Sequence, residues 1–249
     1  MSIFISIASY QDPLLASTIK SACMKASAEQ DLVFGVCDQS SSPMDASSLS
    51  KKAKIHYEHI DPILSKGPCW ARNRLQSFYQ GEDYFLQIDS HTQFDKDWDV
   101  ILMDQLKSLQ GLSSEPYFSK PIITAYPRSF EVISIKDEEF KLNSTDDLVY
   151  SIAYRRDSIF MKDLFSRQIG RPLKTKDPVH GFLLAAGCLF TEGNFVTEVP
   201  YDPNYYFYGE EISLMLRAFT RGYSIFHTPN IPVYHLYNND PSTSGRKLH

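Results

Sequence analysis

Apolar and polar positions along the first hundred residues alternate between two periods. Ser2 to Ala8 is β-rich. After Pro13 the residues Leu15, Ile19, Ala22, Cys23 and Ala26 fall on one face of a 3.6-residue repeat, which predicts a helix. Leu32 to Cys37 is a second apolar run, closed by Asp38; Lys54 to Ile60 is a third, reached across a Ser/Asp/Pro-rich loop from Gln39 to Ser50. Gly67-Pro68 marks a helix start, because proline in a first turn gives up an N–H that has no helical partner there. Ala71, Leu75 and Phe78 then share an inward face, which turns Asn73 away from the core and leaves Arg72 on the flank. Tyr84 to Ile88 is a fourth strand, ending at Asp89. This alternation predicts a mostly parallel sheet flanked by helices. In such sheets ligands bind beyond the carboxyl ends of the strands, so Ser9 to Asp12, Asp38 and Asp89 to His91 should converge on one crevice.

From about Ser113 to Asp147 the rhythm breaks. A strand over Pro121–Tyr126 is followed by a charged stretch through Asp147, read as a surface insertion that either meets an acceptor or is a solvated loop. Gly181 to Phe190 reads as one buried strand. Over Gly209–Arg221 the stripe Ile212, Met215, Leu216 and Phe219 predicts a helix with Glu210 nearly opposite its buried face and Glu211 nearer the flank. Short strands over Tyr223–Phe226 and Ile231–Leu236 and a polar tail follow. The aromatic run Tyr205 to Tyr208 suits either a sugar-stacking surface or the core.

Composition narrows the class. The 249 residues are 43% hydrophobic and 22% charged, which is globular and excludes collagen-like, disordered and fibrous chains. Thirty acidic against 25 basic residues argue against a sequence-independent nucleic-acid binder. Cys23, Cys37, Cys69 and Cys188 form no C-x-x-C pair, so a zinc knuckle and a thioredoxin motif are excluded and buried thiols in a reducing cytoplasm are expected. The N-terminus has no basic signal-peptide region, and no run reaches the roughly 20 apolar residues of a membrane helix.

Candidate chemistry centres on Tyr84-Phe-Leu-Gln-Ile-Asp89-Ser-His91. In extended chain, residues i and i+2 point to the same side, so Asp89 and His91 can reach one ion. A carboxylate with an imidazole suits Mn²⁺, Zn²⁺ or Fe²⁺ and accepts Mg²⁺, leaving positions for substrate oxygens. Arg72, one turn into its helix, can clamp a phosphate. The alternatives are an Asp and a His capping the next turn, and an arginine on a solvated helix face.

In order along the chain come Ile7-Ala-Ser-Tyr10-x-Asp12, Asp38, Gly67-x-x-x-Ala-Arg-Asn73, Gln87-Ile-Asp89-Ser-His91, His180-Gly-Phe-Leu-Leu-Ala-Ala-Gly187, Tyr208-Gly-Glu210-Glu211-Ile and Val233-Tyr-His235-Leu-Tyr. This ordered set resembles metal-dependent GT-A glycosyltransferases, in particular the N-acetylglucosaminyltransferases that modify hydroxyproline on Skp1, with their bacterial and viral relatives. The resemblance implies one α/β domain over residues 1–249, a Rossmann-like central mixed sheet flanked by helices. Residues 1–110 would be the nucleotide-binding half and residues 111–249 the acceptor and sugar half.

The same resemblance implies transfer of N-acetylglucosamine from a UDP-sugar to a protein or glycan hydroxyl, with retention of configuration and Mn²⁺ or Mg²⁺ as cofactor. It puts Ser9, Tyr10, Asp12, Asp38, Arg72 and Asn73 at the nucleotide, and Asp89, His91 and His235 on the metal. Ala186, Gly187 and Glu210 would lie at the sugar, with Glu210 and Glu211 as catalytic carboxylates. Arg246, Lys247 and His249 would form a basic lid over the diphosphate. Competing readings are an inverting GT-A enzyme of capsule or lipopolysaccharide synthesis with Glu210 or Glu211 as base, and a non-catalytic carbohydrate-binding module. The chain could also be one module of a larger protein.

Overall fold

The computed structural model describes residues 1–112, 120–143, 148–155 and 167–238. In chain order the elements are β1 (Ile3–Tyr10), α1 (Leu15–Lys25), β2 (Leu32–Gln39), β3 (Lys54–His59), α2 (Pro68–Gln76), β4 (Tyr84–Asp89), β5 (Thr92–Phe94), α3 (Trp98–Leu112), β6 (Lys120–Thr124), β7 (Arg128–Ser134), β8 (Glu139–Leu142), β9 (Val149–Tyr154), β10 (Gln168–Leu173), β11 (Val179–Gly181), β12 (Cys188–Glu192), α4 (Phe195–Glu198), α5 (Glu210–Phe219), β13 (Tyr223–His227) and β14 (Val233–His235).

The central sheet runs β11-β13-β6-β12-β4-β1-β2-β3. β4, β1, β2 and β3 are parallel, as the alternating pattern predicts, and both faces of β1 are buried because helices cover both. On one face Ile5, Ile7, Phe34 and Leu86 pack with Ile19 of α1 and with α3. On the other, Phe4, Phe85 and Leu189 pack with Phe195 of α4 and with Leu214 and Ala218 of α5. Gly67 opens α2 at φ +94°, and a Cβ there would lie 2.6 Å from the Tyr206 carbonyl oxygen. Glycine is the residue for both constraints.

Several sequence expectations are corrected. The central sheet is mixed, as the motif resemblance implies, while the alternating pattern alone did not show that β12 runs antiparallel between β4 and β6. The run 181–190 is two strands, β11 and β12, joined through a bend. The Thr124 hydroxyl holds that bend, accepting from Ala185 N at 2.9 Å and reaching Cys188 O at 2.8 Å. Within the supposed insertion, β7 and β8 form a hairpin in a second sheet, β5-β14-β7-β8, where Phe130 packs on Leu14, Tyr234 and Leu236. That segment is therefore neither a solvated loop nor detached from the core; residues 113–119 and 144–147 lie outside the described part.

α5 is turned relative to its strongest apolar stripe. Leu216 and Phe219 are 54% and 58% exposed, whereas Glu210, Leu214 and Ala218 face inward. The helix α3, with Trp98, Leu102, Leu106 and Leu109 on one buried stripe, was not anticipated. No helix among the described residues is long and apolar enough to cross a membrane.

Candidate active site

The carboxyl ends of β1, β2 and β4 lie side by side, with Ser9 opposite Asp38 and Ala8 opposite Asp89. Past Asp89 the chain bends through Ser90 and re-enters as β5, whose Thr92 pairs with His235 of β14. Leu236 N donates to His91 O at 3.1 Å, which locks the two segments together. One ligand atom from each of Asp89, His91 and His235 then lies within 4.8 Å of the others, and the two imidazole centroids are 4.6 Å apart. One carboxylate and two imidazoles converging in this way suit a divalent transition-metal ion, with positions left over for oxygen ligands.

Arg72 joins this cluster to α5. Its Nη2 donates to Asp89 Oδ1 at 3.0 Å, and its Nη1 donates to Glu210 Oε1 and Oε2 at 3.0 and 3.2 Å. The Cys69 thiol donates to Glu210 Oε2 at 2.8 Å, and the guanidinium lies over the Tyr201 ring. Burial works against the Asp89 carboxylate, but the His235 hydrogen bond and the Arg72 charge outweigh it and hold its pKa well below the usual carboxylate range. Glu210 is inward because Arg72 neutralises it there. The expectation that it stands opposite the core fails: hydrophobic periodicity cannot see an ion pair made across the fold.

Glu211 lines a cavity of about 310 Å³ that Asp89, Gly187, Arg72, Glu210 and His235 also line. Its Oε1 accepts from Ala186 N at 2.9 Å and its Oε2 from Gln168 Nε2 at 2.8 Å. Burial raises its pKa to about 7, with Glu210 adding to the rise against the Ala186 hydrogen bond. A Cβ on Gly187 would come 2.7 Å from Asp89 Oδ2, so a side chain there would strike the carboxylate. Gln87 fixes the same bend from β4 by donating to Ala186 O at 2.6 Å. Phe207 and Tyr208, about half exposed, border the cavity, so these aromatic residues do not fill the core.

The residues expected at the nucleotide divide. Asp38 is buried and accepts from the Tyr57 hydroxyl at 2.7 Å; the Ser9 hydroxyl beside it is buried without a hydrogen-bond partner. Tyr10 is half-buried at the end of β1. Asn73 donates its amide to Tyr201 O at 2.8 Å, which makes it a clamp on the 201 loop instead of a neighbour of the cavity. Arg72 is committed to two carboxylates, so it is not a free phosphate clamp. Asp12 is turned toward His91, with Oδ2 at 2.8 Å from its Nδ1. Arg246, Lys247 and His249 lie outside the described residues. Sequence reasoning missed Cys69, Tyr201 and Gln168. Each acts through a partner at least 43 positions away, and no local pattern marks such a pairing.

Comparison with protein families matches residues 2–54 and 42–244 to the glycosyltransferase (GlcNAc) family. The chain belongs to the GlcNAc glycosyltransferase family. No curated protein matches it in sequence. Among solved structures, the chain is similar to GalNAc-T7, determined with UDP, GalNAc and Mn²⁺. That match has a TM-score of 0.66 at 14% identity and covers 99% of this chain and 46% of that one. It is also similar to S. aureus TarS. Residues 1–349 of TarS give a TM-score of 0.55 at 10% identity over 95% of this chain and 60% of that one; a second TarS structure gives 0.57 at 10% identity over 95% and 37%. These likenesses establish the GT-A fold. The chain spans less than two thirds of the length of each of these solved structures.

Proposed function

We propose that this GT-A glycosyltransferase moves N-acetylglucosamine from UDP-GlcNAc to a hydroxyl acceptor, with a divalent ion held by Asp89, His91 and His235. The observation that carries the reading is the convergence of these three side chains within 4.8 Å of one another, with Asp89 and His235 on the cavity wall and Asp89 against the bare backbone of Gly187. Mn²⁺ in the GalNAc-T7 structure supports that choice of ion, and the family's description supports the donor sugar. Bound there, the ion supplies a Lewis acid for the charge that builds on the departing diphosphate.

The protein's own residues do the rest. Arg72 holds Asp89 in place, and the Ala186–Gly187 bend admits the sugar close to the backbone. Ser9, Tyr10 and Asp38, at the ends of β1 and β2, receive the nucleoside. The acceptor enters through the second half, where a cavity of about 570 Å³ shares Tyr126, Gln168 and Tyr237 with the first. Retention and a Skp1-like or glycan acceptor follow from the resemblance carried by the ordered motifs. The four buried, unpaired cysteines support a cytoplasmic location.

A second reading has an observation of its own. Glu211, on the cavity wall with a pKa raised to about 7, is placed and poised to take a proton from an acceptor in an inverting reaction.

Turnover of UDP-GlcNAc is the test. UDP release should require Mn²⁺ or Mg²⁺, stop with chelator and fall to background in Asp89→Ala. Release that survives both would overturn the metal reading. The anomeric configuration of the transferred sugar, read by NMR, decides between retention and inversion.

A further inference from the structure

The motif resemblance puts Asp12 on the nucleotide, but its side chain is only 4% exposed and is occupied elsewhere. Its Oδ1 accepts from Leu14 N at 2.9 Å; its Oδ2 accepts from the Ser90 hydroxyl at 3.1 Å and faces His91 Nδ1 at 2.8 Å. Two donors, Leu14 N–H and the Ser90 hydroxyl, already point at this group; a carboxylate only accepts, so its contact with His91 assigns the proton of that contact to Nδ1. Nε2 is then left with its lone pair outward, as metal ligation requires.

We infer that Asp12 is a positioning residue of the metal site: it fixes the tautomer and ring orientation of His91 and so sets the affinity for the ion. The inference rests on the proposed Asp89–His91–His235 metal site. Outer carboxylates on ligating histidines act in this way, and their loss costs about 10–100-fold in metal affinity.

The neighbourhood fits such a role. Thr18 donates its hydroxyl to Ser90 O at 2.7 Å and accepts from Thr92 N at 2.9 Å, so the backbone on both sides of His91 is pinned to α1. Asp12 sits just before α1, which makes one short segment responsible for both the backbone and the ring of this ligand. Gln11, one position earlier, has a φ of +43° and donates its N–H to Gln39 O at 3.0 Å. That unusual backbone is where the chain turns Asp12 away from the ends of β1 and β2 and toward β4.

The experiment measures Mn²⁺ affinity by electron paramagnetic resonance at saturating UDP, then UDP affinity at saturating Mn²⁺. It uses wild type, Asp12→Asn and Asp12→Ala, each checked for folding by circular dichroism. Asp12→Ala should weaken Mn²⁺ binding by about 10–100-fold. Asp12→Asn, which keeps an acceptor but loses the charge, should weaken it less. Saturating metal should return UDP affinity to within about twofold of wild type in both variants. Mn²⁺ affinity unchanged in both overturns the inference. UDP affinity that stays low at saturating metal also overturns it, and returns Asp12 to the nucleotide. Wild type that binds no Mn²⁺ overturns the metal site itself and this role with it. Should Asp12→Ala not fold, Asp12→Asn alone carries the comparison.

Discussion

Residues 1–110 and 111–249 build the same sheet by different means. In the first half, β1 to β4 are strands of six or eight residues in parallel register, and the helices between them bury mainly apolar faces, with Ser17, Thr18 and Ser21 of α1 and Arg72 of α2 as the buried polar exceptions. In the second half the central-sheet strands have three to five residues and β12 runs against its neighbours. There the last helix turns a carboxylate inward and leaves leucine and phenylalanine exposed. The first half is a scaffold whose core explains its sequence. The second half is shaped around a buried ion pair reaching back to the first, and it gives up apolar burial to do so.

The largest expected effect is at the junction itself. Arg72→Ala leaves Asp89 and Glu210 facing each other without a cation, and removing one partner of a buried pair costs about 3–5 kcal/mol. Urea unfolding should read that loss. A change under about 1 kcal/mol would mean that the pair is not what holds α5 in its orientation.

One substitution made in both halves sharpens the contrast. Leu102→Ala in α3 removes a buried side chain and should cost about 2–5 kcal/mol. Leu216→Ala in α5 removes an exposed one and should stay within about 0.5 kcal/mol. Equal losses would show that α5 buries the stripe its sequence favours.

The same helix should also show a pH trend. Glu211 holds its proton up to about 7 when folded, against an ordinary 4.5. Its contribution to stability is therefore complete below pH 4.5 and lost as the pH rises through 7. Melting temperatures of wild type and Glu211→Gln across that window should move in favour of the variant as pH rises. A difference independent of pH would place the Glu211 carboxyl in water.

The fold of the first half was legible because its signals are local. The stripe of Leu15, Ile19 and Ala22, the Gly67-Pro68 start and the strand ends at Asp38 and Asp89 each lie within one element. Asp89 and His91 were legible as a pair for the same reason, being two positions apart, although the chain bends between them at Ser90. His235 came from motif order, since nothing in an apolar strand marks a histidine as a ligand. Glu210 misled because helical periodicity places a carboxylate by the apolar residues of its own helix, while its position is set by Arg72, 138 positions away.

The sequence by itself determined the strand–helix alternation of the first half and the acid and imidazole of the candidate metal cluster, both of which depend on spacings of a few residues. Tertiary structure alone decided that β12 reverses direction, that Glu210 turns inward to Arg72 while Glu211 pairs with Ala186 and Gln168, and that Asp12 meets His91. Those outcomes come from hydrogen bonds and charges meeting across large sequence separations. Their energies exist only once the chain has brought the partners together.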